Sequence, residues 1–235
     1  MNETVIVVTG AEPLEPSAVA DLPRERIVLA ADGGLDHALA AGLRPAGLVG
    51  DLDSVTPDGL AWAEGHATIE RHDPNKDQTD TELALAMAAS LDPARLILLA
   101  GGGDRLDHTV AAIGALGAAS LTHIPEIEGW WGDQHLVVLH GPGRAELDLP
   151  TGTEFSLLAL HGPCTGVVVH GAAWPLDGID LEPVVGRGVS NVATDRPITI
   201  AVSSGVLTVF DDRTATGDTA GAPGVADTTP DEEQP

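Results

Sequence analysis

The chain has 235 residues, 43% of them apolar, which is enough to bury a core as one large domain or two smaller ones. Its formal net charge is −25, from 36 acidic residues against 11 basic ones, and no basic patch is visible along the sequence. Nucleic acid and anionic membranes are therefore poor partners, because their phosphate groups would be repelled.

The sequence pattern also argues against a membrane span, a secretory signal and an intrachain disulfide. No apolar run approaches the roughly 20 residues that a membrane span needs. The segment Met1–Thr4 lacks the basic region of a secretory signal. The single cysteine, Cys164, excludes an intrachain disulfide and a zinc site made of several cysteines. We therefore expect a soluble, cytoplasmic protein.

The first half of the chain alternates short apolar runs with helical patterns. The predicted strands are Thr4–Val8, Ile27–Ala30, Gly47–Val49, Thr68–Glu70 and Arg95–Ala100. The predicted helices are Leu35–Ala41, Pro57–Glu64, Thr79–Ala89 and Leu106–Leu121. Strands separated by helices predict parallel βαβ units and an open, mostly parallel α/β sheet.

The pattern changes after about residue 130, where short runs are divided by glycine and proline without a helical period. These predicted strands are His135–Leu139, Arg144–Leu149, Phe155–Leu160, Gly166–His170, Gly188–Val192, Ile198–Val202 and Val206–Phe210. Such spacing is typical of a β-sandwich or a barrel. We therefore predict an α/β domain over residues 1–130 and an all-β domain over residues 134–211. Residues 212–235 have the composition of a disordered acidic tail.

Four acidic motifs stand at the predicted element boundaries, and the most informative is Gly50–Ser54. It places Asp51 and Asp53 two residues apart at the end of a predicted strand, where α/β sheets bind ligands. Mg²⁺ prefers oxygen ligands and commonly takes one or two carboxylates together with substrate phosphates. The alternative is that these polar residues only form a turn or a helix cap before Pro57. The other three motifs are Ala31–Gly34, Asp77–Asp80 and Gly101–His108.

The motif Asp77–Asp80 lies at the start of a predicted helix. Asp77 or Thr79 could cap that helix, with Glu82 stabilising its positive end, and this alone would explain the pattern. The functional interpretation is that Asp80 faces the same cation as the previous motif. Lys76 would then lie near a phosphate group.

The glycine run Gly101–Gly103 follows a predicted strand and precedes a predicted helix. Glycines there let backbone N–H groups approach phosphate oxygens, although a tight turn explains them equally well. Arg105 could clamp a phosphate with its planar guanidinium, and Asp107 would add a further carboxylate. The segment matches neither the dinucleotide-binding G-x-G-x-x-G pattern nor a Walker A loop.

Taken together and in order, these motifs closely resemble those of the thiamine pyrophosphokinase (thiamine diphosphokinase) family. The family's A-D-G-G, G-D-[FL]-D-S, K-D-x-T-D and G-x-R-x-D-H segments are similar to Ala31–Gly34, Gly50–Ser54, Lys76–Asp80 and Gly103–His108. Trp174-Pro175-Leu176 and Ser190-Asn191 resemble two further signatures in the family's β domain. The resemblance spans roughly Thr4 to Phe210 and leaves the acidic tail outside it.

The resemblance implies an N-terminal α/β/α nucleotide domain, a C-terminal β-sandwich, and a homodimer that builds its thiamine site between domains and subunits. The implied reaction transfers the β,γ-diphosphate of ATP to the thiamine hydroxyl, giving thiamine diphosphate and AMP. Mg²⁺ would be the cofactor, held by the catalytic carboxylates Asp51, Asp53 and Asp80.

The remaining site residues also follow from the resemblance. Asp107 would join the catalytic carboxylates or orient the thiamine alcohol. Ser190 and Asn191 would contact thiamine, with Trp174 in or behind its pocket. The ATP-binding residues would be Asp32, Gly33, Lys76, Asp77, Thr79, Gly102, Gly103 and Arg105.

Two other functions are compatible with parts of the pattern. Asp51–Ser54 superficially resembles the nucleophile loop of haloacid-dehalogenase-type phosphatases, which normally also need a separate lysine. The sole lysine, Lys76, belongs to another motif, and Ala31–Gly34 has no place in that scheme. The second alternative is a nucleotide-binding module without turnover, which the complete set of acidic motif positions argues against.

Overall fold

The computed structural model describes residues 3–103, 105–183 and 185–212. The predicted disordered tail, apart from Asp212, lies outside these described residues. The strands are β1 Thr4–Val8, β2 Arg26–Ala31, β3 Gly47–Gly50, β4 Thr68–Arg71, β5 Arg95–Ala100, β6 Glu126–Trp131, β7 Gln134–His140, β8 Gly143–Leu147, β9 Glu154–Leu158, β10 Cys164–His170, β11 Leu176–Leu181, β12 Gly188–Val192, β13 Ile198–Val202 and β14 Val206–Asp211.

The helices are α1 Pro16–Ala20, α2 Gly34–Ala40, α3 Pro57–His66, α4 Asp80–Ser90 and α5 Leu106–Ala115, with a short 3₁₀ helix at Ala119–Leu121. None of these helices has both the length and the apolar character that crossing a bilayer requires.

Six neighbouring strands form the parallel part of a large sheet, in the order β6-β5-β1-β2-β3-β4. The chain runs outward from β1 to β4 and then returns to place β5 on the other side of β1. The strand order therefore reverses between β1 and β5. In open α/β sheets, ligands bind outside the carboxyl ends of the strands at such a reversal.

Helices cover both faces of this parallel part, which explains why its strands are apolar without alternation. In β1, the residues Val5 and Val7 pack into a core with α4 and α5. The intervening Ile6 and Val8 pack on the opposite face with residues of α1 and α2. All four side chains are buried. The prediction of parallel βαβ units is confirmed.

The large sheet does not stop at the predicted domain boundary. β6 and β7 form an antiparallel hairpin around Gly132, and the sheet continues through β14, β9 and β12 to ten strands. A second antiparallel sheet, β11-β10-β13-β8, packs on this extension. The core between the two sheets includes Phe155, Val167, Ile200 and Leu207. The chain thus has a mixed α/β fold in which one sheet runs through both predicted halves.

Three elements were absent from the sequence-based prediction: α1, β6 and β11. β6 contains two glutamates, and one of them, Glu128, is largely buried because Arg95 and His135 pair with it. The predicted helix Leu106–Leu121 is wrong beyond Ala115. Helix α5 ends before Gly117, where a Cβ atom would overlap the His161 ring, so only glycine fits at this position.

Candidate active site

A cleft of about 460 Å³ opens at the carboxyl edge of the parallel strands. It is built from the loops after β1, β2, β3, β4 and β5, together with the first turn of α4, the first two turns of α5 and the last residue of β6. Its lining includes Thr9, Gly10, Asp32, Gly33, Asp51, Asp53, Ser54, Lys76, Thr79, Asp80, Gly102, Gly103, Arg105, His108 and Trp131. The strand reversal described above therefore coincides with the cleft that holds most of the predicted site residues.

Three carboxylates meet in this cleft. Asp32, Asp51 and Asp80 each offer one oxygen, and the three oxygens lie within 4.8 Å of one another. Gly50 makes this approach possible, since a Cβ atom there would lie 3.0 Å from Asp80 Oδ1 and 3.1 Å from Asp32 Cβ. Its φ of 149° also lies in the region that favours glycine. We call these three residues the carboxylate cluster.

Burial makes the carboxylate cluster electrostatically unusual. Asp32 Oδ1 is buried and has no hydrogen-bond partner among the described residues. Burial raises the pKa of Asp32; a hydrogen bond from Ser54 opposes this, and the negative charges of Asp80 and Asp53 reinforce it. An unpaired buried carboxylate oxygen is costly unless a cation joins it. Carboxylate oxygens are ligands of the kind that Mg²⁺ prefers.

Lys76 lies against the same cluster. Its Nζ is 2.8 Å from Asp80 Oδ1 and 3.7 Å from Asp51 Oδ2. The lysine side chain is only 15% exposed. Hydrogen bonding to Asp80 raises the pKa of Lys76, so the side chain is held as an ammonium ion. The prediction that Lys76 belongs to the site agrees with this position, although its contacts here are carboxylates.

Asp53 lies at the exposed rim of the cleft, outside the three closest carboxylates. Its Oδ1 accepts a hydrogen bond from Ser54 Oγ at 2.8 Å, and its backbone N–H donates to Asp51 Oδ1 at 3.2 Å. Leu52 between the two aspartates is buried with a φ of 68°, which breaks the alternation of an extended chain. Asp32, predicted only as an ATP-binding residue, stands with Asp51 and Asp80 instead.

A capping box positions Asp80 at the first turn of α4. Thr79 Oγ1 accepts from the Glu82 backbone N–H at 3.2 Å, and a Glu82 carboxylate oxygen accepts from the Thr79 backbone N–H at 2.7 Å. The capping and functional interpretations of this motif are therefore compatible, since the cap orients the carboxylate. Asp77 is exposed and does not line the cleft.

The glycine-rich loop reaches the cleft, whereas Asp107 does not line it. Gly102 and Gly103 have φ values of 97° and 134°, a backbone region that favours glycine. Arg105 lines the cleft and forms a two-pronged pair with Asp107, with N–O distances of 3.0 and 2.7 Å. Bonding to Arg105 lowers the pKa of Asp107, which is 66% exposed. The structure therefore does not bring Asp107 to the carboxylate cluster.

The three predicted thiamine residues meet at a second cleft of about 200 Å³, together with Arg187 and Val189. Asn191 is buried and clasps the loop of Trp174, accepting from its backbone N–H at 3.1 Å and donating to its carbonyl at 2.8 Å. Ser190 has a φ of 55°, and the Trp174 side chain is 61% exposed. Within the described part of the chain, the linings of the two clefts have no residue in common.

Sequence reasoning missed the loop after β1. Thr9 and Gly10 line the first cleft, and their position after the strand at the reversal could have indicated them. Trp131 also lines it, with its indole N–H donating to Thr109 Oγ1 at 3.2 Å.

Comparison with known proteins matches both parts of the chain to one family. The family model described as "Thiamin pyrophosphokinase, catalytic domain" matches residues 22–125. The model described as "Thiamin pyrophosphokinase, vitamin B1 binding domain" matches residues 144–207. The first range contains the carboxylate cluster and the second contains Trp174, Ser190 and Asn191.

Individual relatives agree with this match. The thiamine pyrophosphokinase of Bacillus subtilis (strain 168) is 30% identical over 211 residues, covering 88% of this chain and 97% of the relative. A crystal structure of thiamine pyrophosphokinase from Bacillus subtilis has a TM-score of 0.75 at 22% identity, covering 89% of this chain and 98% of that one. For the Candida albicans enzyme the TM-score is 0.71 at 15% identity, with 89% and 90% covered. The chain therefore belongs to the thiamin pyrophosphokinase family.

Proposed function

We propose that the cleft around the carboxylate cluster is where this chain carries out the reaction of its family. That reaction transfers the β,γ-diphosphate of ATP to the thiamine hydroxyl, giving thiamine diphosphate and AMP. The observation that carries the placement is the convergence of Asp32, Asp51 and Asp80 at the strand reversal. A site for a phosphate-bound cation is expected at that position in an open α/β sheet.

We propose Mg²⁺ as the cofactor, held by Asp32, Asp51 and Asp80. When bound, Mg²⁺ would contact phosphate oxygens and stabilise the charge that develops on them during transfer. The fit rests on the all-oxygen donor set and on the buried, unpartnered Oδ1 of Asp32. Asp53, at the rim, remains a proposed contributor to the same site.

The chain's own residues would then bind and orient the triphosphate. The backbone N–H groups of Gly102 and Gly103 can donate to phosphate oxygens. Arg105 lines the cleft and can exchange Asp107 for a phosphate group, because a guanidinium binds both with the same two-pronged geometry. Thr79, Gly33 and Asp77 remain proposed ATP contacts. A loose transition state asks mainly for alignment and charge stabilisation, so a dedicated base is not required.

We also propose a division of labour along the chain. Residues 1–130 would bind ATP, and residues 134–211 would form a β-sandwich that binds thiamine through Ser190, Asn191 and Trp174. The exposed Trp174 ring offers a flat apolar surface for an aromatic vitamin. The rigid support that Asn191 gives to the Trp174 loop favours this assignment.

A homodimer would explain why the two clefts share no lining residue. Beside the first cleft, Leu106 and Val110 of α5 are 72% and 61% exposed, and beside the second Val189 and Trp174 are also exposed. Apolar side chains exposed in groups commonly mark an interface. In a two-fold symmetric dimer, each of these two surfaces would contact the partner protomer, so each would occur twice in the interface. The thiamine cleft of one protomer would then face the carboxylate cluster of its partner.

The test is direct incubation of the purified chain with MgATP and thiamine. We expect AMP and thiamine diphosphate in equal amounts by mass spectrometry, and no AMP without thiamine. Inorganic phosphate released from simple monoesters would instead indicate a phosphatase. ATP binding by calorimetry without any consumption would indicate a binding module.

A further inference from the structure

We propose that Lys76 acts as an internal counter-ion that keeps free divalent metal out of the carboxylate cluster, so that metal enters together with the nucleotide phosphates. The proposal makes Lys76 a determinant of binding order in addition to a phosphate contact. It rests on the proposed function only in taking the carboxylate cluster as the metal site.

The geometry places the ammonium group where a cation would bind. Lys76 Nζ contacts Asp80 at 2.8 Å and lies 3.7 Å from Asp51, so its one positive charge is placed between two of the three cluster members. The side chains are 15%, 25% and 14% exposed for Lys76, Asp80 and Asp51. Charges so little exposed are weakly screened by solvent and salt. A metal ion bound by Asp51 and Asp80 would therefore have to displace the ammonium group.

The loop that carries Lys76 is ordered by hydrogen bonds on both sides of it. Asn75 donates to the Asp73 carboxylate through its backbone and its side chain, at 2.8 and 3.1 Å. The Lys76 backbone N–H donates to the Asp73 carbonyl at 3.2 Å. After Lys76, the capping box of Thr79 begins α4. The ordered main chain thus positions Lys76 beside the cluster. The four-carbon side chain of the lysine is flexible, so Nζ can still move.

The local charge balance makes this ammonium group important. Among the described residues, four aspartates line the cleft: Asp32, Asp51, Asp53 and Asp80. Lys76 is the only lysine of the chain. Arg105 also lines the cleft and is positively charged near neutral pH, but it is paired with Asp107. Removing the charge at position 76 would leave the carboxylates mutually repelling and open to any divalent cation.

Free metal and nucleotide-bound metal differ in what they offer Lys76. A free ion takes the carboxylates from the ammonium group and leaves it without an anion. ATP supplies phosphate oxygens, to which Nζ can transfer as the metal takes its place. Metal and nucleotide should therefore bind with positive coupling, and coupling of this kind acts equally in both directions.

The decisive experiment titrates the protein with Mn²⁺ in the absence of nucleotide. Electron paramagnetic resonance measures binding as the loss of the signal of free Mn²⁺. We expect the wild-type chain to bind Mn²⁺ weakly, with little change in melting temperature. Lys76→Met should bind Mn²⁺ about 10- to 100-fold more tightly, the effect of losing one partly buried ion pair. Its melting temperature should fall without metal and recover when Mn²⁺ is added.

Two variants control for the charge and for the place of binding. Lys76→Arg keeps the positive charge and should bind Mn²⁺ as weakly as wild type. Lys76→Met combined with Asp80→Asn should lose the gained affinity, because one cluster carboxylate is gone. Equal Mn²⁺ affinity in wild type and Lys76→Met would overturn the proposal.

Measurements on the wild-type chain provide a test that does not depend on whether the variants fold. Micromolar binding of Mn²⁺ without nucleotide would overturn the proposal whatever the variants do. Turnover of MgATP and thiamine by wild type is scored separately. Active enzyme with tight free-metal binding would refute the counter-ion role alone, whereas inactive enzyme would refute the proposed function.

Discussion

At the scale of single residues, unusual backbone angles mark both clefts. Asp32, Leu52 and Ser190 have positive φ values of 46°, 68° and 55°, and each stands in or beside a cleft. Among the described non-glycine residues, only Asp92 shares this feature. Residues held in sparsely populated conformations concentrate where surrounding structure positions functional groups. Asp32 tolerates its conformation because aspartate enters the left-handed region more readily than most residues.

Replacing Asp32 or Asp80 by asparagine should lower kcat about 10²- to 10⁴-fold, since several kcal/mol of charge stabilisation are lost with each carboxylate. The fold should persist because asparagine has nearly the same shape and, at position 32, also accepts a positive φ. The measurement is AMP production at saturating MgATP and thiamine, with circular dichroism to confirm folding.

Asp53→Asn should have a smaller effect than Asp32→Asn, because Asp53 stands at the exposed rim. Asp58→Asn, on the exposed first turn of α3 and outside the cleft, is the matched control and should keep wild-type kcat. A loss in Asp53→Asn as large as that in Asp32→Asn would contradict the grouping of Asp32 with Asp51 and Asp80.

At the scale of elements, α3 and α4 begin with the same kind of cap, but only α4 contributes a residue to the carboxylate cluster. Each has a threonine N-cap, Thr56 for α3 and Thr79 for α4, whose hydroxyl accepts a backbone N–H of the first turn. Only α4 carries a cluster carboxylate, Asp80, directly after its cap. Comparing variants of the two caps therefore distinguishes the effect of a cap on stability from its effect on the carboxylate cluster.

Thr79→Ala and Thr56→Ala should each lower the free energy of unfolding by about 1 kcal/mol, the usual contribution of such a cap. Only Thr79→Ala should also reduce turnover and weaken the response to Mg²⁺, because Asp80 loses its fixed orientation. Urea unfolding and Mg²⁺ titrations of activity measure both effects. If the two variants lost turnover equally, the cap of α4 would have no special part in the site.

At the scale of the whole molecule, the ten-stranded sheet is joined by a buried polar network. His135 of β7 contacts Asp211 of β14 at 2.9 Å and Glu128 of β6 at 3.3 Å. Arg95 of β5 contacts Glu128 at 2.6 Å. The network therefore links the parallel strands β5 and β6 to the antiparallel strands β7 and β14 of the same sheet.

Glu128 should make stability depend on pH. Burial alone would raise its pKa, but hydrogen bonds from His135 and Arg95 outweigh burial and hold the pKa at about 2, below the ordinary 4.5. A lowered pKa stabilises the folded state fully above pH 4.5, and this stabilisation is lost as pH falls towards 2. Glu128→Gln should thus cost about 3 kcal/mol at pH 7 and progressively less below pH 4.5.

Urea unfolding between pH 7 and pH 3 would measure this difference. Glu126→Gln is the matched control, since Glu126 is 67% exposed and lies 3.9 Å from the same arginine. It should change stability little at any pH. A constant difference between wild type and Glu128→Gln across the pH range would contradict the assigned ionisation.

Mixing two inactive variants would test the proposed homodimer. Asp80→Asn lacks a cluster carboxylate, and Trp174→Ala lacks the aromatic surface of the second cleft. If each active site combines the first cleft of one protomer with the second cleft of its partner, mixed dimers hold one intact site of the two. Activity should then recover towards a quarter of wild type after subunits exchange randomly. If subunits were shown to exchange and activity did not recover, each active site would instead combine the two clefts of a single protomer.

The acidic motifs indicated the site because each stands directly after a strand or before a helix. Asp51 follows β3 and Asp80 begins α4, so local patterns alone placed them at one edge of a parallel sheet. Asp32 also follows a strand, β2, but its motif did not show that its carboxylate, and not that of Asp53, joins Asp51 and Asp80. This grouping depends on the close approach of β2, β3 and α4 around Gly50, which brings together residues separated by almost 50 positions.

The sequence by itself determined the alternation of strands and helices, the change to short strands after residue 130, and the four motifs that contribute to the first cleft. These features are encoded in local periodicity and turn chemistry. Only the tertiary structure decided that one sheet runs through both halves, that Lys76 contacts carboxylates, and that Asp107 stays outside the cleft. Strand pairing, burial and ion pairing between distant residues depend on the whole packed chain, and no short stretch of sequence contains them.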